Sequence, residues 1–141
     1  MSALRAVFDV NILISARLSL LGNPFRCLAL ARAGEVQSIT CAQILDEFTE
    51  KLVTKFGYPL PDARRHADEV AKFSASVPVP GNLKVVTTDP DDDPVLECAI
   101  VGKADCLVTG DHHLLAFKRY ENVELVTATD FLLRVRQNLT R

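Results

Sequence analysis

The stretch TTDPDDDPVLECAIVGKADCLVTGD, residues 87–111, decides the fold class of this chain. After an acidic loop, residues 94–104 have the pattern of a helix with proline in its first turn. Residues 106–109 then form a short, mostly apolar run, which is typical of a strand covered on both faces. A helix followed at once by such a strand predicts a parallel sheet packed between helices. Asp111 comes just after this strand, so an acid is predicted at its carboxyl end.

Helices and strands alternate along the rest of the chain in the same way. The predicted strands are residues 5–10, 36–41, 83–86, 106–109 and 123–127. The predicted helices are residues 24–33, 42–57, 61–75, 94–104, 112–120 and 129–139. These elements predict a single domain over residues 1–141 with an α/β fold, a three-layer α/β/α sandwich around a mainly parallel five-stranded sheet.

The composition excludes several classes of protein. Of the 141 residues, 48% are apolar and 24% are charged, which is typical of a globular domain. No apolar run approaches the roughly 20 residues that a membrane-spanning helix needs, and no signal peptide is recognisable, so a cytoplasmic protein is expected. The four cysteines lie in apolar contexts without a CxxC pair or a zinc-finger spacing to the three histidines. They are expected to be reduced core residues.

The formal net charge of −2 is not that of a nonspecific nucleic-acid binder, which is usually basic. Five of the acidic residues, however, lie at or after the ends of predicted strands. Asp9 lies at the end of the first predicted strand, Asp91, Asp92 and Asp93 follow the third, and Asp111 follows the fourth. Ligands of open parallel sheets bind beyond the carboxyl ends of the strands. The acids are therefore expected to meet at one edge of the sheet.

Most of these acids also have a structural interpretation. Asp93 and Asp111 each precede a predicted helix and would serve as N-caps, while Asp91 and Asp92 would serve as solvated turn residues. Asp9 differs, because it follows an apolar run that has the pattern of a central strand, where an unpaired charge is costly. Asp9 is therefore the strongest candidate for a functional acid.

A carboxylate cluster without histidine or cysteine is typical of a site for a hard cation, Mg²⁺ or Mn²⁺. Such a cation would offset the repulsion among the acids. Ions of this kind commonly activate water and stabilise the leaving oxygen when a phosphodiester is hydrolysed. Neither a GxSxG nucleophile elbow nor a GxxxxGK phosphate loop occurs in the sequence.

In the segments around these acids the chain resembles the PIN domain family of metal-dependent ribonucleases. The resemblance rests on VFDVNILISA (7–16), ILDEFTEKL (44–52) and DPDDDPVLECAIVGKADCLVTGDHHLL (89–115). It implies an RNA substrate and a requirement for Mg²⁺ or Mn²⁺. The subfamily that it most resembles consists of toxins of prokaryotic toxin–antitoxin systems, which implies an antitoxin protein and a second copy of the chain as partners.

The resemblance also implies roles for individual residues. The four catalytic, metal-binding acids would be Asp9, Glu47, Asp93 and Asp111. Three neighbours would support these acids or contact the substrate, namely Asn11, Thr109 and Asp92. Helical periodicity leaves both Asp46 and Glu47 on the flanks of their helix, so the resemblance alone selects Glu47.

Three other functions compete with the nuclease interpretation. A catalytically silent PIN-like module that binds RNA or protein remains the main alternative, although all four acids are present. A receiver-type phosphotransfer domain would have an acidic doublet after the first strand and a lysine at the end of the last strand, and this chain has neither. A Mg²⁺-dependent phosphatase would have a DxDx[TV] motif, where DVNIL has asparagine.

Overall fold

A computed structural model describes residues 3–86 and 90–139, with the side chain of Asp91 excepted. The helices of this part are α1 (Val10–Leu18), α2 (Asn23–Arg32), α3 (Ala42–Thr54), α4 (Leu60–Lys72), α5 (Asp93–Val101), α6 (His112–Leu115) and α7 (Ala128–Leu139). Its strands are β1 (Leu4–Phe8), β2 (Val36–Thr40), β3 (Ser74–Ser76), β4 (Cys106–Val108), β5 (Arg119–Tyr120) and β6 (Val123–Val126). A 3₁₀ turn, Pro90–Asp92, leads into α5.

The strands form one sheet in the order β3-β2-β1-β4-β6-β5. Every neighbouring pair is parallel except β5 and β6, which are antiparallel. The predicted α/β class and the mainly parallel sheet are therefore confirmed. The strand count is corrected, since the sheet has six strands rather than the predicted five. Four predicted strands correspond to β1, β2, β4 and β6, whereas β3 and β5 were not predicted.

The strand predicted at residues 83–86 is wrong, because the structure shows no strand over these described residues. The N–H groups of Val85 and Val86 donate instead to Oδ1 of Asp93, at 2.9 and 2.8 Å. A backbone N–H that is bonded to a side-chain carboxylate is not available for a neighbouring strand. The apolar composition of the segment therefore does not make it a strand.

The edge position next to β2 is taken by β3, which overlaps the end of the helix predicted over residues 61–75. The hydroxyl of Ser74 donates to the hydroxyl of Ser38 at 2.7 Å, so the two strands are also joined through their side chains. The helix in this region, α4, correspondingly ends at Lys72. A three-residue strand of serine and alanine has no apolar pattern that sequence reasoning could recognise.

Helix α1 was not predicted, and the strand predicted at residues 5–10 ends at Phe8. The buried residues of α1 are Val10, Ile12, Leu13, Ile14 and Ala16. A helix that is apolar on most of its sides lacks the periodic pattern of a surface helix. The helix predicted at residues 112–120 is likewise shorter, because its last two residues form β5.

The helices cover both faces of the sheet. Val7 and Phe8 point to opposite faces, since successive strand residues alternate. Phe8 packs edge-to-face against Phe131 of α7, with ring centroids 5.9 Å apart. On the other face Ile39, the register partner of Val7, lies against Gly102 at the end of α5. This arrangement is consistent with the predicted three-layer sandwich.

The core contains all four cysteines as free, buried thiols, as the sequence predicts. Its largest fully buried side chains come from both helices and strands, among them Phe48, Phe131, Leu13, Ile39, Ile44 and Leu52. Among the described residues, none of the helices combines the length and the hydropathy that crossing a bilayer requires.

Gly102, which follows the last turn of α5, allows a test of this packing. A Cβ at this position would lie 2.6 Å from Cγ2 of Ile39 and 3.0 Å from the carbonyl oxygen of Cys98, so Gly102→Ala would push α5 away from β2. We expect the free energy of unfolding, measured by urea denaturation, to fall by about 1–3 kcal/mol. Gly110→Ala is the matched control, because its Cβ would meet no atom within 4 Å. Equal losses in the two variants would contradict the packing explanation.

Candidate metal-binding site

Asp9 lies at the carboxyl end of β1 and is the N-cap of α1. Its N–H continues the sheet by donating to the carbonyl oxygen of Val108 at 2.9 Å. Its Oδ1 accepts from the N–H of Val10 and its Oδ2 accepts from the hydroxyl of Thr109, both at 2.7 Å. The residue is only 5% exposed. Because a carboxylate oxygen can accept more than one bond, both oxygens keep capacity for a further ligand.

Thr109 joins Asp9 to the end of β4. Its N–H donates to the carbonyl oxygen of Val126 at 2.9 Å, and its side chain is fully buried. While its hydroxyl donates to Asp9, the hydroxyl oxygen accepts from the N–H of Asp111 at 3.0 Å. Asp111 in turn caps α6 by accepting from the N–H of His113 at 2.8 Å. One hydroxyl therefore links the two acids that follow β1 and β4.

Glu47 lies in the middle of α3, half-buried and close enough for its charge to act on Asp9. Asp46, the other acid that periodicity left open, is exposed. One helical turn further on, Nζ of Lys51 lies 3.3 Å from Oε1 of Glu47. Both side chains line an open groove of about 550 Å³ between α3 and the start of α5. The groove therefore carries a lysine beside Glu47.

The acidic loop does not follow a strand, which corrects the expectation that three strand ends deliver the acids. The loop enters α5 through the 3₁₀ turn. Asp92 is 8% exposed, and its carboxyl group is close enough to Asp111 to lower the pKa of that residue. Asp93, equally buried, directs Oδ1 to the N–H groups of Val85 and Val86 instead. Asp92 therefore acts on Asp111, whereas Asp93 is bonded to the segment before the loop, and the roles of both acids in metal binding stay predictions.

The remaining predicted residues lie around this cluster. Asn11 is exposed on the first turn of α1, two residues after Asp9, where it can contact a ligand in solvent. Asp105 has a structural contact, since its Oδ2 accepts from the N–H of Arg5 at 2.9 Å and ties β4 to β1. Residues 87–89 and the side chain of Asp91 lie outside the described part of the chain.

The ionised form of Asp9 is disfavoured in its surroundings. Burial raises the pKa of Asp9, and the hydrogen bonds from Thr109 and Val10 lower it. The negative charges of Glu47 and Asp111 raise it further, and the net shift is upward. The fold therefore keeps a carboxyl group where its negative charge is costly.

Asp111 has the opposite shift. Burial by itself would raise the pKa of Asp111, but its hydrogen bonds with the N–H of His113 and the side chain of Asp92 oppose burial. The positive charges of the His113 and His112 imidazoles act in the same direction, and the net pKa is lowered. Asp111 therefore ionises more readily than Asp9.

The donor set fits a divalent cation with oxygen ligands. The acids that would hold the cation are Asp9, Glu47, Asp111 and a carboxylate of the 92–93 pair. Their mutual repulsion and the burial of Asp9 are both offset by a positive charge placed among them. Mg²⁺ and Mn²⁺ both accept carboxylate oxygens, so the donor set fits either ion.

The raised pKa of Asp9 predicts a pH dependence of stability in metal-depleted protein. An acid whose pKa is higher in the folded state contributes stability that is fully present below its unfolded pKa of about 4 and is lost as the pH rises through the folded-state pKa. The Asp9→Asn variant lacks this group. In urea denaturation we expect its stability to rise relative to the wild type from about pH 4 toward neutrality. A constant difference over this range would contradict the raised pKa.

The chain was compared with known proteins by sequence and by structure. A family model described as PIN domain matches residues 5–113, which include Asp9, Glu47 and Asp111. Among solved structures, the PIN domain of T. brucei RRP44 aligns with a TM-score of 0.56, covering 99% of this chain and 84% of that chain at 10% sequence identity. At this identity the likeness concerns the fold. No curated protein matches the sequence. Because the family model spans more than half of this chain, the chain belongs to the PIN domain family.

Proposed function

We propose that this PIN domain is an endoribonuclease that hydrolyses RNA phosphodiester bonds with the help of Mg²⁺ or Mn²⁺. PIN domains are generally nucleases. The observation that carries the proposal is the buried carboxyl group of Asp9, which Thr109 links to Asp111 and on which the charge of Glu47 acts. The ionised form of a buried acid among other acids is unfavourable, and a cation bound among them would favour it.

The side chains have distinct roles in this proposal. Thr109 fixes Asp9 and Asp111 relative to each other, so that two ligands are in place before a cation binds. Glu47 approaches from α3, and Lys51 beside it offers a positive charge to a substrate phosphate in the same groove. A bound dication would supply Lewis acidity and make water a better nucleophile. No side chain has to act as the nucleophile.

Cleavage of a structured RNA by the purified protein tests the proposal. We expect cleavage with Mg²⁺ or Mn²⁺, no cleavage in excess chelator, and a higher melting temperature with the metal than without it. Stabilisation by metal without cleavage of any RNA would favour the catalytically silent module instead. A melting temperature that does not respond to either metal would contradict the metal site itself.

The narrower role of a toxin in a toxin–antitoxin module rests on the sequence resemblance. In this proposal the protein acts in the cytoplasm, with an antitoxin protein and a second copy of the chain as partners. An apolar surface suited to a protein partner supports this role, since Leu18, Leu20 and Leu21 are 50%, 63% and 88% exposed. Induced expression in a bacterial host should arrest growth, and Asp9→Asn should not. Normal growth with active wild-type protein would contradict the toxin role and leave the nuclease intact.

A further inference from the structure

A second group of metal-ligating side chains lies beside the carboxylate cluster. Asp111, His112 and His113 each offer one ligand atom, and these atoms lie within 4.8 Å of one another. The two imidazole rings are tilted by 39°, with their centroids 4.2 Å apart. Both histidines are exposed and Asp111 is half-buried, so the group is open to solvent.

The backbone of this group is held in place while its side chains stay adjustable. The N–H of Asp111 is bonded to Thr109, and Oδ1 of Asp111 accepts from the N–H of His113. Zinc–nitrogen bonds are about 2.0–2.1 Å long, which puts neighbouring ligand atoms of a tetrahedral site roughly 3.4 Å apart. Exposed imidazoles can reach such a spacing by rotating about their side-chain torsions.

The chemistry of this group differs from that of the cluster around Asp9. Carboxylates alone suit Mg²⁺, whereas two imidazoles and one carboxylate suit Zn²⁺ and the neighbouring transition-metal ions. Three protein ligands with a remaining position for water are a common zinc arrangement. A search for zinc-finger spacing between cysteines and histidines does not find this group, because its three members are consecutive residues and none is a cysteine.

We propose that Asp111, His112 and His113 form a second metal site, which takes an imidazole-preferring dication such as Zn²⁺ and shares Asp111 with the oxygen-ligand cluster. The effect of sharing Asp111 on RNA cleavage rests on the proposed nuclease function. A zinc ion on this site engages Asp111 and competes with the dication held through Asp9 and Glu47. Zinc should therefore inhibit cleavage supported by Mg²⁺.

Binding is measured without reference to activity, on protein from which any polyhistidine tag has been removed. Co²⁺ serves as a spectroscopic probe for the zinc site through its visible absorption, and Zn²⁺ displaces it in competition. We expect His112→Ala and His113→Ala each to weaken Co²⁺ and Zn²⁺ binding by about tenfold or more. The matched control is His66→Ala, which removes the third histidine, on α4, and should bind both ions like the wild type.

Asp9→Asn separates this site from the nuclease function, since Asp9 is not among the three ligands. The variant should still bind Zn²⁺ through the histidines, even if it has lost cleavage. Zinc affinity that is unchanged in both histidine variants would overturn the proposal, and so would a loss in Asp9→Asn as large as in His112→Ala. Histidine-dependent zinc binding in a protein that cleaves no RNA would support the site and refute the nuclease alone.

Discussion

Asp9→Asn is expected to lower the rate of metal-dependent RNA cleavage by about 100-fold or more, while the protein stays folded. Substituting a group that merely orients a metal ligand typically costs 10–100-fold in affinity or activity, so loss of a direct ligand should cost at least as much. Asp9 holds a central position, because it is bonded to Thr109 and lies within the field of Glu47 and Asp111. Its neutral amide replacement removes the charge that a cation would bind.

The substitution should be well tolerated by the fold. The amide oxygen of asparagine can still accept from the N–H of Val10, and the amide nitrogen can donate to the hydroxyl oxygen of Thr109, which reorients. The buried negative charge that is costly in the metal-free protein is also gone. We therefore expect the melting temperature in chelator to equal or exceed that of the wild type, and the stabilisation by Mg²⁺ or Mn²⁺ to disappear.

The control is Asp68→Asn, which makes the same chemical change at an exposed position of α4. This variant should retain cleavage, metal-dependent stabilisation and the wild-type melting temperature. If Asp9→Asn cleaved RNA at the wild-type rate, the nuclease assignment of this site would be wrong. Cleavage that survived in chelator would point to a contaminating nuclease instead.

The parallel sheet could be predicted because β1, β4 and β6 are mostly apolar and β2 is rich in β-branched residues. The segment 83–86, predicted as a strand, has a similar composition, but carboxylates on α5 accept hydrogen bonds from its backbone N–H groups. Glu97 accepts from the N–H of Leu83 at 3.3 Å, and Asp93 accepts from Val85 and Val86. Hydrogen bonds of this kind, between a loop segment and a helix, leave no pattern in the sequence of the segment itself. The two added strands are short, and they exist because β2 and β6 offer edges to pair with.

The placement of the acids was predictable where a strand end fixed it. Asp9 and Asp111 follow β1 and β4, which are neighbours in the sheet, and Thr109 brings the two acids together. The choice of Glu47 as a site residue depended on the family resemblance, since α3 carries acids at three nearby positions. The sequence could not distinguish the role of Asp92 from that of Asp93. A shift of one residue in the start of α5 decides which acid ends the loop and which begins the helix.

The distinction between Asp92 and Asp93 can be made by experiment. Asp93→Ala is expected to lower the free energy of unfolding by about 3 kcal/mol, because two backbone donors, one of them buried, lose a charged acceptor. A loss of this size would lower the melting temperature of a chain of this length by roughly 10 °C. Asp92→Asn should cost much less stability, since an amide can still hydrogen-bond to Asp111. It should, however, weaken metal binding, because Asp92 is the acid of the pair that contacts Asp111.

Asp93→Asn completes the comparison, because its amide keeps one oxygen that can accept from Val85 and Val86. Urea denaturation of metal-depleted protein gives the stability of each variant, and calorimetric titration with Mn²⁺ gives its metal affinity. If Asp93 acts through Val85 and Val86, Asp93→Asn should retain most of the stability and most of the metal affinity. A stable Asp93→Asn protein that no longer binds metal would instead make Asp93 a direct ligand, as the family resemblance implies. In that case Asp93 would serve both the fold and the site, since Oδ1 holds the segment before the acidic loop and the second oxygen is left for the cation.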